Sequence, residues 1–242
     1  MIALSSILLT KCNIFFWLKK HFKCQVDLGK LDRINPISRY FGFDRGKPID
    51  RYYIEKFLLE NRKYIHGSVL EVGDNTYTKK FGEGRVERSD VLHAVRGNPS
   101  ATIVANLAEA ENIPSNLFDC IILTQTLQFV YDLPAAVKHL HRILKPEGVI
   151  LATVPGISQI SRYDMDKWGE FWRFTTQSAQ RLFEHEFTPA NVDVRAYGNI
   201  LIAVALLHGL AVEDVKTEYF EYQDPDYQVL ITIRAIKSQV NQ

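Results

Sequence analysis

The stretch Val69–Tyr77, VLEVGDNTY, holds the residues best placed to do chemistry. An apolar pair runs into Glu71, then Val72, Gly73 and a polar turn, which reads as a short buried strand breaking into a tight loop. An acid and a glycine at a strand end supply one carboxylate and one point of close backbone approach. That is suitable content for a ligand site at the carboxyl end of a parallel strand. Other chemistries lack their residues. Only Gly73 stands where a dinucleotide site would need G-x-G-x-x-G, and no G-x-S-x-G nucleophile turn occurs. Cys12, Cys24 and Cys120 are odd in number, scattered and without CxxC spacing. They predict neither a disulfide framework nor a zinc site, and no metal is expected. His139, His141, His185 and His208 fall on predicted helices at no ligand spacing and read as surface or capping residues.

The elements around that loop alternate between strands and helices. Ser68–Val72 is the first predicted strand, Arg85–Ser89 a second ending at Asp90, Ala101–Ala105 a third ending at Asn106, and Asp119–Leu123 a fourth ending at Thr124-Gln125. Val149–Val154, Val192–Ala196 and Val229–Ala235 complete the set. Pro48 opens a helix with Ile49, Tyr52, Tyr53, Phe57 and Leu58 at helical spacing. Leu133–Leu144 is the clearest helix, with Leu133, Ala136, Val137, Leu140, Ile143 and Leu144 on one face. Thr175 or Thr176 caps a further helix, and the all-apolar Ile200–Leu210 predicts a buried one. The segment Thr78–Gly84 is expected to turn back, and Ile157–Arg173 to form a loop rich in Tyr, Trp and Asp. This order predicts an α/β fold with a doubly wound, mostly parallel seven-stranded sheet and an antiparallel C-terminal edge strand.

A chain of 242 residues with 46% hydrophobic and 24% charged residues can bury a real core. Its net charge of +1 gives no electrostatic case for nucleic acid. Residues 1–38 read as an N-terminal helical extension. Ile2–Leu18 is apolar but carries Lys11 and Asn13, has no basic region before it, and is shorter than the roughly 20 apolar residues a spanning helix needs. A helix packed on the domain is expected there. The alternative is a weak membrane-surface contact, with Phe15, Phe16 and Trp17 beside Lys19, Lys20 and Lys23. The expected setting is cytoplasmic, or membrane-peripheral in the second case.

Several pieces of residues 39–242 resemble a class I S-adenosylmethionine-dependent methyltransferase of the small-molecule type. VLEVGDNTY resembles the family's first motif, E/D-x-G-x-G-x-G, with Asn75 at the second Gly position and Tyr77 at the third. FDCIILTQTLQFVYD, Phe118 to Asp132, resembles the fourth strand and its turn. HRILKPEGVILATVP, His141 to Pro155, carries the Leu-Lys-Pro-x-Gly that precedes the fifth strand in such enzymes, and Trp172–Thr175 resembles a segment before the sixth. The resemblance implies S-adenosylmethionine as cofactor. It implies Gly73 as the point of close approach and backbone donation, with Asn75 tolerating a left-handed backbone beside it. Glu71 then holds backbone donors or the cofactor amine, or only caps the turn. Asp90, roughly 20 residues on, is placed for the ribose diol, Asn106 and Leu107 for the adenine, and Gln125 at the end of the fourth strand.

Methyl transfer needs orientation more than a dedicated catalyst, so no catalytic residue is singled out. His93, Asp164 and Asp166 are the candidates for a base where the acceptor must lose a proton. Tyr163, Trp168, Trp172 and Arg173 are the candidate substrate contacts, with packing of the segment onto the core as the alternative for the two tryptophans. Arg39–Asp50 is placed to cover the cofactor, or to form a solvated ion-pair patch. The acceptor is expected to be a small molecule or glycan. The reading from another class is a methyltransferase-fold scaffold or binding protein without cofactor, and the loop at Asn75 and Tyr77 discriminates between the two.

Overall fold

A computed structural model of the chain describes Gly29 and residues 32–239. The expected helix within Ile2–Leu18 and its lysine-rich end lie outside the described residues. The chain divides into two units, Met1–Asn35 and Pro36–Gln242, and the second carries the α/β fold. Its seven strands are β1 (Gly67–Val72), β2 (Val86–His93), β3 (Ile103–Val104), β4 (Phe118–Thr124), β5 (Leu144–Pro155), β6 (Val192–Tyr197) and β7 (Leu230–Ile236). They form one sheet in the order β3-β2-β1-β4-β5-β7-β6. The strands from β3 to β5 pair in parallel, and β7 pairs antiparallel with both β5 and β6. The fold class is the expected one, with the C-terminal strand set one place in from the edge that β6 forms.

Alternation along the strands builds two cores. Leu70, Ile121, Leu123 and Ile150 face one side, where they meet Ala136, Val137, Leu140 and Ile143 of α3 (Leu133–Ile143) and Ala179 and Phe183 of α5 (Thr176–Glu184). Val69, Cys120, Ile122 and Leu151 face the other, against α1 (Ile49–Glu60), α2 (Thr76–Gly82) and α6 (Ile200–Leu207). The side-chain period of two in a strand makes both faces apolar, so both must be covered. Local signals set the helix ends. Asp132 accepts from the Ala135 amide at the start of α3, and Thr175 with Ser178 forms a capping box ahead of α5.

Four expectations are corrected. The segment expected to turn back after β1 is the helix α2. The loop after β5 contains the helix α4 (Arg162–Trp168), capped by the Ser161 side chain. The all-apolar helix α6 stops at Leu207, because Gly209 takes φ +68, and leaves Ile200, Leu201 and Leu207 exposed. Finally, β2 does not end at Asp90. Its first half is polar and its second half buries Val91-Leu92, so the parallel register with β1 carries on to Leu92, and His93 ends the strand by pairing with Val104 of β3.

The segment before α1 is tied to the turn after α6. The Ile37 and Ser38 amides donate to the His208 carbonyl, Val212 donates to the Lys47 carbonyl, and Arg45 pairs with Asp214 at 2.6 Å. Gly42 sits at the closest approach, with φ +84 and a position where a Cβ would lie 2.6 Å from the Leu210 carbonyl oxygen. Gly42→Ala is therefore expected to cost about 1–3 kcal/mol, from left-handed backbone strain and the clash together. Urea denaturation beside the native chain measures this.

Candidate functional site

The sheet order reverses between β1 and β4, since β2 and β3 lie on one side of β1 and β4 and β5 on the other. At such a switch point the connections leave in opposite directions and open a crevice at the carboxyl ends. A cavity of about 450 Å3 lies there. Its floor is Glu71, Val72 and Asp74 from β1 and its turn, Thr76 and Tyr77 from α2, and Thr124 and Gln125 from β4.

Glu71 organises the floor. Its side chain is 2% exposed, and its carboxylate accepts from the Tyr77 amide at 3.1 Å, the Thr78 amide at 2.7 Å and the Thr78 hydroxyl at 2.7 Å. Those amides are the second and third of α2 and have no partner inside the helix. Burial nevertheless pushes the Glu71 carboxyl up to about 7, against the pull of these donors and with help from Asp74. Gly73 follows with φ +92, and nothing lies within 4 Å of where its Cβ would be. The glycine thus serves a backbone conformation and leaves open space in front of it. Its amide donates to the Leu92 carbonyl and its carbonyl accepts from Asn98, so it supplies close approach and not the expected free donor.

The motif's two departures cost little. Asn75 takes φ −119, so no left-handed backbone is needed there, and its side chain donates to the Ser89 hydroxyl. Tyr77 packs into the core around α1, where it stacks on Phe81 at 6.2 Å, while still lining the cavity. Burial pushes its phenol up to about 12.

Asp90 requires correction. It pairs with Leu70 in the register, short of the strand end, and its carboxylate accepts from the Thr102 hydroxyl at 2.8 Å and pairs with Arg88 at 2.6 Å. It clamps β2 to the segment entering β3 and is not on the cavity wall. His93 stands at the end of β2 instead, its ring 5.6 Å from that of Trp168. Asn106 does stand just past the end of β3, but its side-chain oxygen caps the next turn by accepting from Ala108, and Leu107 is buried in the core. Neither lines the cavity. Gln125 does, in a left-handed conformation at φ +46, with its amide held by the Thr153 carbonyl at 2.9 Å.

Two segments form the walls. Phe41, Phe43, Asp50 and Arg51 come from the region before α1 and its first turn, and Ser158, Gln159, Ser161, Tyr163, Asp164 and Glu170 from the segment after β5. That second segment is anchored to the β4 turn, since Phe171 donates to the Gln128 carbonyl at 2.8 Å and the Trp172 indole to the Val130 carbonyl at 3.0 Å. Of the four expected substrate contacts only Tyr163 reaches the wall. Trp168 contacts His93, Trp172 stacks on Tyr131, and Arg173 pairs with Glu170 at 2.6 Å while donating to the Ser158 and Gln159 carbonyls. Asp166 faces Arg162 on the surface. Within Arg39–Asp50, Phe41, Phe43 and Asp50 line the cavity, while Arg45 pairs with the distant Asp214 and not within the segment. Sequence reasoning passed over Gln128, Arg51 and Glu170. The i, i+3 pair Gln125 and Gln128 after an apolar strand was the available signal, because two amides there need a polar partner.

A family described as a methyltransferase domain matches residues 37–191. The chain belongs to that family. Its fold is shared with a SAM-dependent methyltransferase from Archaeoglobus fulgidus, at 12% identity and a TM-score of 0.52 over 77% of this chain and 94% of that one. The N-methyltransferase NodS from Bradyrhizobium japonicum, in complex with S-adenosyl-L-homocysteine, is similar at 12% identity and a TM-score of 0.52 over 84% and 95%. The mitochondrial arginine-hydroxylase NDUFAF5 of Homo sapiens is 34% identical over 85 residues, 33% of this chain. The match spans 25% of that curated relative's length.

Two outcomes follow from the geometry. The folded protein keeps a proton on Glu71 between the ordinary 4.5 and about 7, where the unfolded chain has released it. This group's contribution to stability therefore falls as pH rises through that window, and levels off above it. Chemical denaturation between about pH 5 and about pH 8 should show that slope reduced in Glu71→Gln. Asp90→Ala should lose about 1–3 kcal/mol by stranding Thr102 and Arg88, and leave any nucleoside-dependent thermal shift in place.

Proposed function

We propose that the protein transfers a methyl group from S-adenosylmethionine to a small-molecule or glycan-type acceptor. The observation that carries this reading is the cavity at the β1–β4 switch point, with Glu71, Val72 and Asp74 on its floor, around a Gly73 whose Cβ position meets nothing within 4 Å. The residues present suit a sulfonium amino-acid nucleoside. Glu71 and Asp74 offer negative charge to an ammonium, and Gly73 lets the chain lie against the turn. Arg51 is the only basic side chain on the wall among the described residues, and pairs with the carboxylate. Gln125 meets the nucleoside at the end of β4. Asn75 helps indirectly, by holding the turn to Ser89.

The bound cofactor supplies a methyl carbon already activated by positive sulfur. The chain's own contribution is to align the acceptor with that carbon and exclude water, worth about 7–11 kcal/mol when the geometry is right. The segments 39–51 and 157–171 do this by walling the crevice on two sides. Asp164 lines the cavity wall and His93 does not, so Asp164 is the better placed to receive a proton from an acceptor.

Thermal shift with S-adenosylhomocysteine tests the reading. A ligand at a hundredfold excess over Kd stabilises by about 2.7 kcal/mol, and a clear rise in melting temperature is expected. Arg51→Ala should weaken binding by about tenfold, roughly 1.4 kcal/mol, without lowering the stability of the free protein. No shift at millimolar S-adenosylhomocysteine or S-adenosylmethionine would leave a methyltransferase-fold scaffold as the reading.

A further inference from the structure

The cavity's charge is unbalanced. Asp50, Asp74, Asp164 and Glu170 line it, with Glu71, whose burial favours its proton up to about 7, against Arg51. Arg173 neutralises Glu170, and a sulfonium amino acid adds a single net positive charge, so carboxylates remain in excess with the cofactor in place. Burial already pushes the Asp50 carboxyl upward. An anionic acceptor would add to the excess of carboxylates, and a neutral one would leave it uncompensated.

A second, independent feature lies on the β4 side. Gln128 is 4% exposed and lines the cavity. Its side-chain nitrogen donates to Gln125 at 3.2 Å, while its side-chain oxygen has no hydrogen-bond partner. A buried acceptor left empty costs about 1–3 kcal/mol, and such groups mark places where a donor is meant to arrive. The half of the cavity next to β1 belongs to the cofactor in the reading above. Gln128, Phe129 and Asp164 come from the turns after β4 and β5, line the cavity and carry none of the cofactor contacts above, which leaves them for the acceptor. Phe129 there adds an aromatic face, to which cations are drawn.

We infer that the acceptor is an amine that enters as a cation, with an N–H on the Gln128 side-chain oxygen and its charge beside Asp164. As a statement about the methyl acceptor this rests on the methyl-transfer reading; as a binding site it stands alone. In the transfer the ammonium first releases its proton to solvent by way of Asp164. The nitrogen lone pair then forms the N–C bond as the C–S bond breaks, and the bonding pair stays on sulfur.

Benzylamine, with benzyl alcohol as its neutral match and benzoate as its anionic one, tests the site by thermal shift on the full chain, with and without saturating S-adenosylhomocysteine. Benzylamine is expected to raise the melting temperature at concentrations at least tenfold below those benzyl alcohol needs, and benzoate to have no effect. Gln128→Leu should lose the benzylamine shift while keeping that of S-adenosylhomocysteine. Gln128→Glu, of nearly equal volume, should strengthen benzylamine binding, and it decides the matter if the leucine variant does not fold. A wild-type response equal for amine and alcohol, greater for benzoate, or absent for benzylamine overturns the inference. So does an unchanged benzylamine shift in both variants. A benzylamine shift without any S-adenosylhomocysteine shift keeps the cation site and overturns methyl transfer.

Discussion

A buried carboxylate holding the first amides of a short helix fixes the geometry on which the crevice depends. Glu71 ends an apolar strand and has two neighbouring amides and a hydroxyl within reach, all from α2. Without it, the start of α2 would leave unsatisfied donors away from water, and the Gly73–Asn75 turn would lose its anchor on the far side. The arrangement also explains why a seven-residue helix persists. Such a helix is too short to be stable by itself, and it draws its order from the sheet and from α1. The same carboxylate lies on the cavity floor, so one group serves both the fold and the site's electrostatics.

The rest of the site is assembled from parts far apart in sequence. The wall before α1 is held by the turn after α6, through His208, Lys47 and Arg45 with Asp214. The wall after β5 is pinned to the β4 turn through Phe171 and Trp172 and to itself through Arg173 and Glu170. Two non-glycine residues on the cavity wall, Phe41 at φ +55 and Gln125 at φ +46, take left-handed conformations. Strain of that kind costs of order 1–3 kcal/mol per residue and persists where the surrounding contacts over-determine it. Both are held by fixed neighbours, Gln125 by Thr153 and Phe41 by the Gly42–Leu210 approach.

What the sequence by itself determined is the fold class, the seven strands in order and the principal helices, and it singled out the loop after β1 whose residues line the cavity. These are legible because they rest on local periodicity and capping, such as the apolar run before Glu71, the face of α3, and Thr175 with Ser178. The family resemblance in His141–Pro155 likewise sits in contiguous residues. Tertiary structure alone decided which side chains share the crevice. Asp90 had suitable chemistry and spacing, but the pairing of β2 with β1 and β3 carried the strand past it to His93 and gave Asp90 to Thr102 and Arg88. Trp168, Trp172 and Arg173 lay in the right segment, yet a helix at Arg162–Trp168 turned them to other partners. Arg51 and Gln128 carried no motif and entered the site through the packing of α1 and the β4 turn. Strand register, helix phase and the meeting of distant loops depend on pairings that periodicity within one segment does not encode, which is why the elements could be read from the chain and the wall of the cavity could not.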